Sequence, residues 1–454
     1  MSIVHLGGFK FAIIGAGPAG CMLARLLSLS DIPVTVYESD LGPNYRAQGG
    51  TLDLHSKTGL AAMKEARLWD EFCREARFAS DYTMMCDKDF NAFVEVTGSD
   101  GTARRPEIDR SKLRQILTES LPDNTIKWGH RLQSVKEGDR LVFEHSTESG
   151  FDLIVGCDGA WSKVRNYITT VKPQYSGVGY HQLSVPDAEQ TASQFLRVGN
   201  VSVRPENWVQ SCGYDPYDLE QTKKAILEEL HDWCLQLREA IEKAQGDCDP
   251  KSLYMLPVGW RREHRQGVMI IVDAAHLMPP FAGEGVNVAL DDARKLAAAI
   301  VRSVQTGGGP EEIDKQIRGF EQEMFPRMEM YQRVTNEVTQ LWLFTKGELR
   351  RVVPKVLYFI ISLDLPRVVM PLVWVLLYSW WFVKTRLVPN KAHAQQWICK
   401  GAQRGLIVCR RDRIHSSIFP AARPICDQAG TPTGVKKPCK DLCGKTKSPL
   451  QIFV

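Results

Sequence analysis

Three stretches of this 454-residue chain predict an α/β fold built on a parallel sheet. Each is a short apolar strand that ends on a glycine or a carboxylate and leads into helical periodicity: Phe9 to Ile14, Phe151 to Gly156, and Val268 to Val272. Strands separated in this way pair in parallel, because the chain between them must cross the face of the sheet. Ligands of such sheets sit beyond the carboxyl ends of the strands, so the residues just after each strand form the predicted site.

The third stretch is the most informative. Its strand stops on Asp273, Pro279 and Pro280 stiffen the loop that follows, and Gly283-Glu284-Gly285 precede an apolar-periodic helix from Val286 through about Val304. A helix start flanked by glycines lets a ligand approach unpaired N–H groups, and the dipole there favours negative charge. An anionic group is therefore expected against Gly285 to Asn287. Alone, the segment also reads as a plain strand, turn and helix.

The amino terminus decides between those readings. Phe9 to Ile14 runs into Gly15-Ala-Gly-Pro-Ala-Gly20, a helical pattern from Cys21 to Leu29, and a second strand, Val34 to Tyr37, closed by Glu38. Strand, G-x-G-x-x-G, helix and a distal acid together make the dinucleotide fingerprint. Gly15, Gly17 and Gly20 would permit the tight turn, the approach of a pyrophosphate and close helix packing. Glu38 would accept ribose hydroxyls.

Between these stretches the signals are weaker. Arg46 to His55 is a loop with paired glycines, one Arg and Asp53, and from its residues alone it reads as a turn. Glu107 to Arg114 opens an amphipathic helix with Asp109 as its cap, and Arg110 and Arg114 read as a solvated basic stripe. Leu132 to Glu144 reads as a hairpin around Glu137-Gly138-Asp139. The strand at 151 ends in Asp158-Gly159 before a short basic helix, which gives a third strand end suited to one extended ligand.

With these residues in hand, the chain resembles the single-component FAD monooxygenases of the p-hydroxybenzoate hydroxylase type. The likeness is carried by Gly15, Gly17 and Gly20, by Cys157-Asp158-Gly159 with Ser162 to Arg165, and by Asp273 with Pro279, Pro280, Gly283, Gly285 and Asn287. Within that family, Gly49 to His55 and Ala274 to Asn287 are most similar to tetracycline-inactivating enzymes and fungal secondary-metabolite relatives. The resemblance implies a Rossmann-like FAD-binding domain with an inserted α+β substrate domain. It implies FAD and NADPH as cofactors, and insertion of one oxygen atom of O2 into a bulky metabolite through a flavin C4a-hydroperoxide. Gly15 to Gly20 and Glu38 would hold the adenosine half, Asp53 and Arg110 the flavin or its phosphates, Asp273 the ribityl chain, and Arg46 the docking NADPH. No side chain is singled out as the main catalyst. His55 and His276 lie in loops near the cofactor, where a structural role is the commoner one. A Baeyer–Villiger oxygenase and a catalytically silent scaffold are the alternatives.

Two features depart from the family pattern. Val272 stands where the family has glycine before the aspartate, and a valine would crowd backbone that lies close to the cofactor. The region between Gly177 and Arg197 is short where substrate-domain strands should be. The expected organisation is an FAD domain over 1–176 and 258–345 and a shortened substrate domain over 177–257. Leu227 to Ala244 should form one helix covering the substrate sheet, and a long helix from about Glu311 to Phe344 should close the body.

Beyond residue 345 the chain changes character. Val352 to Leu363 and Val368 to Val383 are apolar stretches, expected as helices of a 346–389 segment that either meets a membrane through 352–383 as a re-entrant hairpin or an interfacial pair, or packs as a buried dimer or core helix. From Lys384 onward, 14 Lys and Arg stand against 3 Asp, or +11 in a chain of +4, which leaves −7 on the preceding 383 residues. The 390–454 tail has little periodicity and is expected to be disordered. No signal-peptide pattern precedes the first strand, so the protein is expected on the cytoplasmic side, at the endoplasmic reticulum if the source is eukaryotic. The 12 Cys, five of them in the tail, show no paired metal-binding spacing, and no metal or nucleic-acid partner is expected.

Overall fold

In the computed structural model, backbone pairing brings the predicted strands side by side. The structure describes residues 9–453 except 44, 46–49, 79–81, 87–91, 98–104, 186–196, 200–201, 204–205, 346–348, 388–398, 404–405 and 412–449. The central sheet has five parallel strands in the order Val268–Ile270, Leu153–Gly156, Phe11–Ile14, Val34–Tyr37, Ile126–Lys127. Its three middle-to-edge strands read FAII, LIVG and VMI and are buried throughout, as expected for a parallel sheet covered on both faces. Helices Pro18–Ser28 and Gly285–Gln305 pack together against it, joining the beginning of the chain to its third quarter.

Inserted between two strands of this sheet is a second, antiparallel one. Gln174–Val185 pairs with Gln245–Met255, and helices Leu219–Glu229 and Leu235–Glu242 lie against that pair. The single helix expected over Leu227 to Ala244 is thus two. Apolar periodicity survives the break because Ile226 and Leu230 of one piece and Ala240 and Ile241 of the other are all buried. Residues 186–196, where the chain is short, fall outside the described residues.

Other boundaries shift by local geometry. The third strand ends at Ile270, and Asp273 opens a one-turn helix, Asp273–His276, so it does not terminate a strand. The long helix runs Pro310–Thr339 and passes into a π-turn, Gln340–Phe344. Asp109 precedes its helix, Arg110–Glu119, without a side-chain cap, because its carboxylate accepts from Arg77 at 2.8 Å. The Leu132 hairpin forms as expected, with Gly138 and Asp139 at φ +74° and +51° in its turn. The apolar stretches are helices, Leu349–Asp364 and Met370–Leu387.

Of the tail, three strands are among the described residues: Cys399–Gln403, Leu406–Arg411 and Leu450–Phe453. Leu406–Arg411 pairs with Tyr82–Cys86, and Leu450–Phe453 with Gln174–Val185. A strand edge offers a row of backbone donors and acceptors, which a short apolar segment satisfies whatever the polarity of its flanks.

Candidate functional site

The carboxyl ends of four strands lie in one row. Tyr37 pairs with Ile14, Ile14 with Gly156 and Gly156 with Ile270. Backbone bonds continue the row past the strand ends, from Gly15 N–H to Tyr37 O at 2.8 Å, Cys157 N–H to Ile14 O at 2.8 Å, and Ile271 N–H to Gly156 O at 3.1 Å. Glu38, Gly15, Asp158 and Asp273 are therefore brought to one sheet edge.

The three fingerprint glycines play different parts. Gly15 has φ +104°, and a Cβ there would stand 2.5 Å from the Cys157 carbonyl oxygen. A Cβ on Gly20 would stand 2.0 Å from the Gly15 carbonyl oxygen. Both are fixed by packing of protein on protein. A Cβ on Gly17 meets nothing within 4 Å, and Gly17 caps the Pro18 helix without a side-chain bond. Its neighbourhood is open to a ligand at a positive helix end. Gly20→Ala is accordingly expected to cost about 3 kcal/mol or more. Gly17→Ala should leave stability within about 0.5 kcal/mol while weakening dinucleotide binding, and thermal melts with cofactor titrations would separate the two.

Glu38 is buried and oriented. Its carboxylate accepts from Ala16 N–H at 2.6 Å, Asp40 N–H at 2.9 Å and the Ser39 hydroxyl at 3.0 Å. Arg114, expected on a solvated stripe, is turned inward and only 4% exposed. It meets Asp40 at 2.8 Å and Glu38 at 4.0 Å, and lies over the Trp128 ring. Its Nε and Nη1 are buried without a protein partner, as a donor pair directed at a ligand would be. Arg110 remains exposed, and its charge opposes the burial that raises the Asp273 and Tyr180 pKa values.

Asp158 spends one oxygen on structure. Its Oδ2 accepts from Lys163 and Val164 N–H at 2.6 and 3.3 Å, while Oδ1 is buried without a protein partner. Burial raises its pKa, and the bonds to Ser162 and these amides oppose the rise. Arg165, 1% exposed, bonds the carbonyls of Ala160, Asp273 and Ala274 and so ties the second strand end to the third. Gly159, φ +74°, faces open space. Burial likewise raises the Asp273 pKa, opposed by His276, Arg110 and Arg165.

Val272 sits at φ +61° and ψ −143°, a conformation close to glycine-only territory. What holds it there is Asp292, which is 0% exposed. Its Oδ2 accepts from His276 Nε2 at 2.6 Å and from Val272 N–H at 3.4 Å, and its Oδ1 accepts from Arg327 at 2.7 Å. Arg327 also bonds Asp291 at 3.0 Å. His276 is thereby a buried structural residue. A carboxylate on the apolar stripe Val288, Asp292, Leu296 was a readable sign of such a buried cluster.

Gly283, φ +69°, and Gly285 lead into the Gly285–Gln305 helix, whose first turn has no side-chain cap and no acid. Asn287 is 0% exposed. Its side chain is committed to the protein, accepting from His55 N–H at 2.7 Å and donating to Asp53 O at 2.9 Å, so any ligand contact falls to backbone N–H. His55 bridges Asp53 at 3.2 Å and Glu284 at 3.3 Å. Burial lowers its pKa, but the two carboxylates more than reverse this and lift it to about 9. A folded-state pKa above the unfolded value stabilises fully below about pH 6.5 and is lost as pH rises through about 9. The thermal-stability advantage of wild type over His55→Gln should shrink across that window. Arg46 lies outside the described residues.

The orphaned Asp158 and Arg114 atoms, the open Gly17, Gly159 and Gly285, and two uncapped helix starts on one sheet edge fit FAD. A family described as "FAD binding domain" matches residues 9–316. The chain belongs to this FAD-dependent monooxygenase family. Monooxygenase penA of Penicillium thymicola is 28% identical over 409 residues, covering 72% of this chain and 94% of the relative. Monooxygenase asqM of Emericella nidulans is 30% identical over 375 residues, covering 65% and 84%. Among solved structures, HpxO of Klebsiella pneumoniae with FAD and uric acid has a TM-score of 0.62 at 17% identity, covering 84% of this chain and 99% of that one. Tetracycline destructase Tet(55) has a TM-score of 0.56 at 19% identity, covering 76% and 91%. These likenesses show the shared fold, and the α/β class with its inserted domain agrees with the expectation.

Proposed function

We propose that this FAD-dependent monooxygenase takes its electrons from NADPH and inserts one oxygen atom of O2 into a bulky, partly apolar metabolite of a secondary pathway. The row of aligned strand ends carries this reading, because it gathers residues from three distant parts of the chain around one extended cofactor. Bound there, FAD supplies the redox chemistry that divides O2 between product and water. The Gly15–Gly20 turn would hold the pyrophosphate, Glu38 and Arg114 the adenosine end, and Asp273 the ribityl hydroxyls. The Gly285 helix start would face the flavin ring, where its dipole favours negative charge without any side chain of its own. Among the described residues the fingerprint occurs once, so NADPH has no domain of its own and would dock in a groove. Relatives named as monooxygenases of fungi support the reaction type.

Purified protein should be yellow, and NADPH should bleach the flavin band under anaerobic conditions. Product should carry one labelled atom from ¹⁸O₂. A second reading, a silent flavin-fold scaffold, is favoured by one observation, the strained Val272. Correctly folded protein that fails to take up FAD would establish that reading in place of the first.

A further inference from the structure

Helix Met370–Leu387 is apolar nearly all round and yet uncovered. Over Arg367–Arg386, 20 residues with mean hydropathy 1.5, only 11% of the apolar window is buried. Leu372, Trp374, Leu376 and Phe382 are 62%, 50%, 61% and 57% exposed. At 100° per residue, these four with Trp380 spread over roughly two-thirds of the helix circumference. A second copy of the chain would cover one stripe, and water would leave the whole arc exposed at a large cost. Only an apolar solvent covers every direction.

The helix is anchored at one end. Val353 and Trp381 form a small buried cluster with Trp342 and Leu357, which joins Leu349–Asp364 to Met370–Leu387 beside the Gln340–Phe344 turn of the body. The two helices leave the body together, and the turn Asp364 to Arg367 is their far tip. Along the outward part Ile360 and Leu363 are also exposed. Base and tip differ in charge: Arg350, Arg351, Lys355, Lys384 and Arg386 stand at or beside the base, and Asp364 and Arg367 at the tip. Lys384 and Arg386 lie over the Trp380 and Phe382 rings, an arrangement suited to headgroup depth.

We infer that this hairpin inserts tip-first into a lipid bilayer from the side on which the FAD-binding body lies. Its arms, 16 and 18 helical residues, extend about 24 and 27 Å, most of the depth of a hydrocarbon layer about 30 Å thick. Basic residues at the base place the body on the cytosolic side, where NADPH is available. Both ends of the hairpin stay on that side, and the body need not cross the membrane.

The test uses the full chain and vesicles of phosphatidylcholine, with and without phosphatidylserine. The protein should float with both and resist release by high salt. Leu372→Glu with Leu376→Glu should lower the floated fraction about tenfold or more while the flavin spectrum and helicity persist. Brominated acyl chains should quench tryptophan emission of the wild type, and the conservative Trp374→Phe, Trp380→Phe variant should lose most of that quenching. That second measurement decides the matter even if the glutamates prevent folding. Three results would overturn the inference: protein left wholly in the aqueous phase, flotation abolished by salt, or a stable soluble dimer that the glutamates split.

Discussion

Val272→Gly is expected to raise both the thermal stability of the apoprotein and its affinity for FAD. A β-branched residue at φ +61°, ψ −143° carries a strain of about 1–3 kcal/mol, which glycine sheds. Glycine also gains freedom in the unfolded chain, which takes back about 0.5–1 kcal/mol. The net gain, up to about 2.5 kcal/mol, should appear as a rise of up to a few degrees in Tm. Val272 precedes Asp273, so a relaxed backbone should also let the carboxylate settle on the cofactor, with an expected fall in Kd of up to about tenfold. Val272→Ala keeps the positive φ and removes only the branch, so it should recover little of either effect. A loss of stability in the glycine variant would mean that the packing of Val272 against the core outweighs its backbone strain.

Asp292→Ala should have the opposite and larger effect. Removing it strands His276 Nε2, the Val272 N–H and one arm of Arg327, all gathered at a residue with 0% exposure. Breaking a buried charged cluster on one side costs about 3–5 kcal/mol. The Val272–His276 turn loses its clamp, so cofactor retention should fall with stability. Asp292→Asn keeps the shape but supplies an N–H where an acceptor is needed, and should recover only part of the loss. Denaturant titrations of the apoproteins with flavin-binding isotherms would check both variants.

Much of this site was legible before any coordinates. The fingerprint from Gly15 to Glu38, Asp158-Gly159 and the Asp273 to Asn287 run each carry a local reason for their residues: a turn, a close approach, a helix start. Arg114 was not legible, because spacing alone does not distinguish a solvated arginine from one turned inward toward Asp40. Asn287 was read for the cofactor, yet its amide serves the Asp53–His55 loop, more than 200 residues away in sequence. Asp292 left a sign, a carboxylate on an apolar helix face, but its partners His276 and Arg327 are brought to it only by packing.

Periodicity and short-range motifs are properties of neighbours in the chain, so the amino-acid order by itself determined the α/β class, the dinucleotide turn and the apolar helices, while the valine at 272 stood out only against the family pattern. Which of four strand ends share a row, which charges meet in the interior, and which apolar helix finds no cover depend on contacts between distant segments. Those were decided by the tertiary structure alone, because burial and pairing energies act through space and not along the backbone.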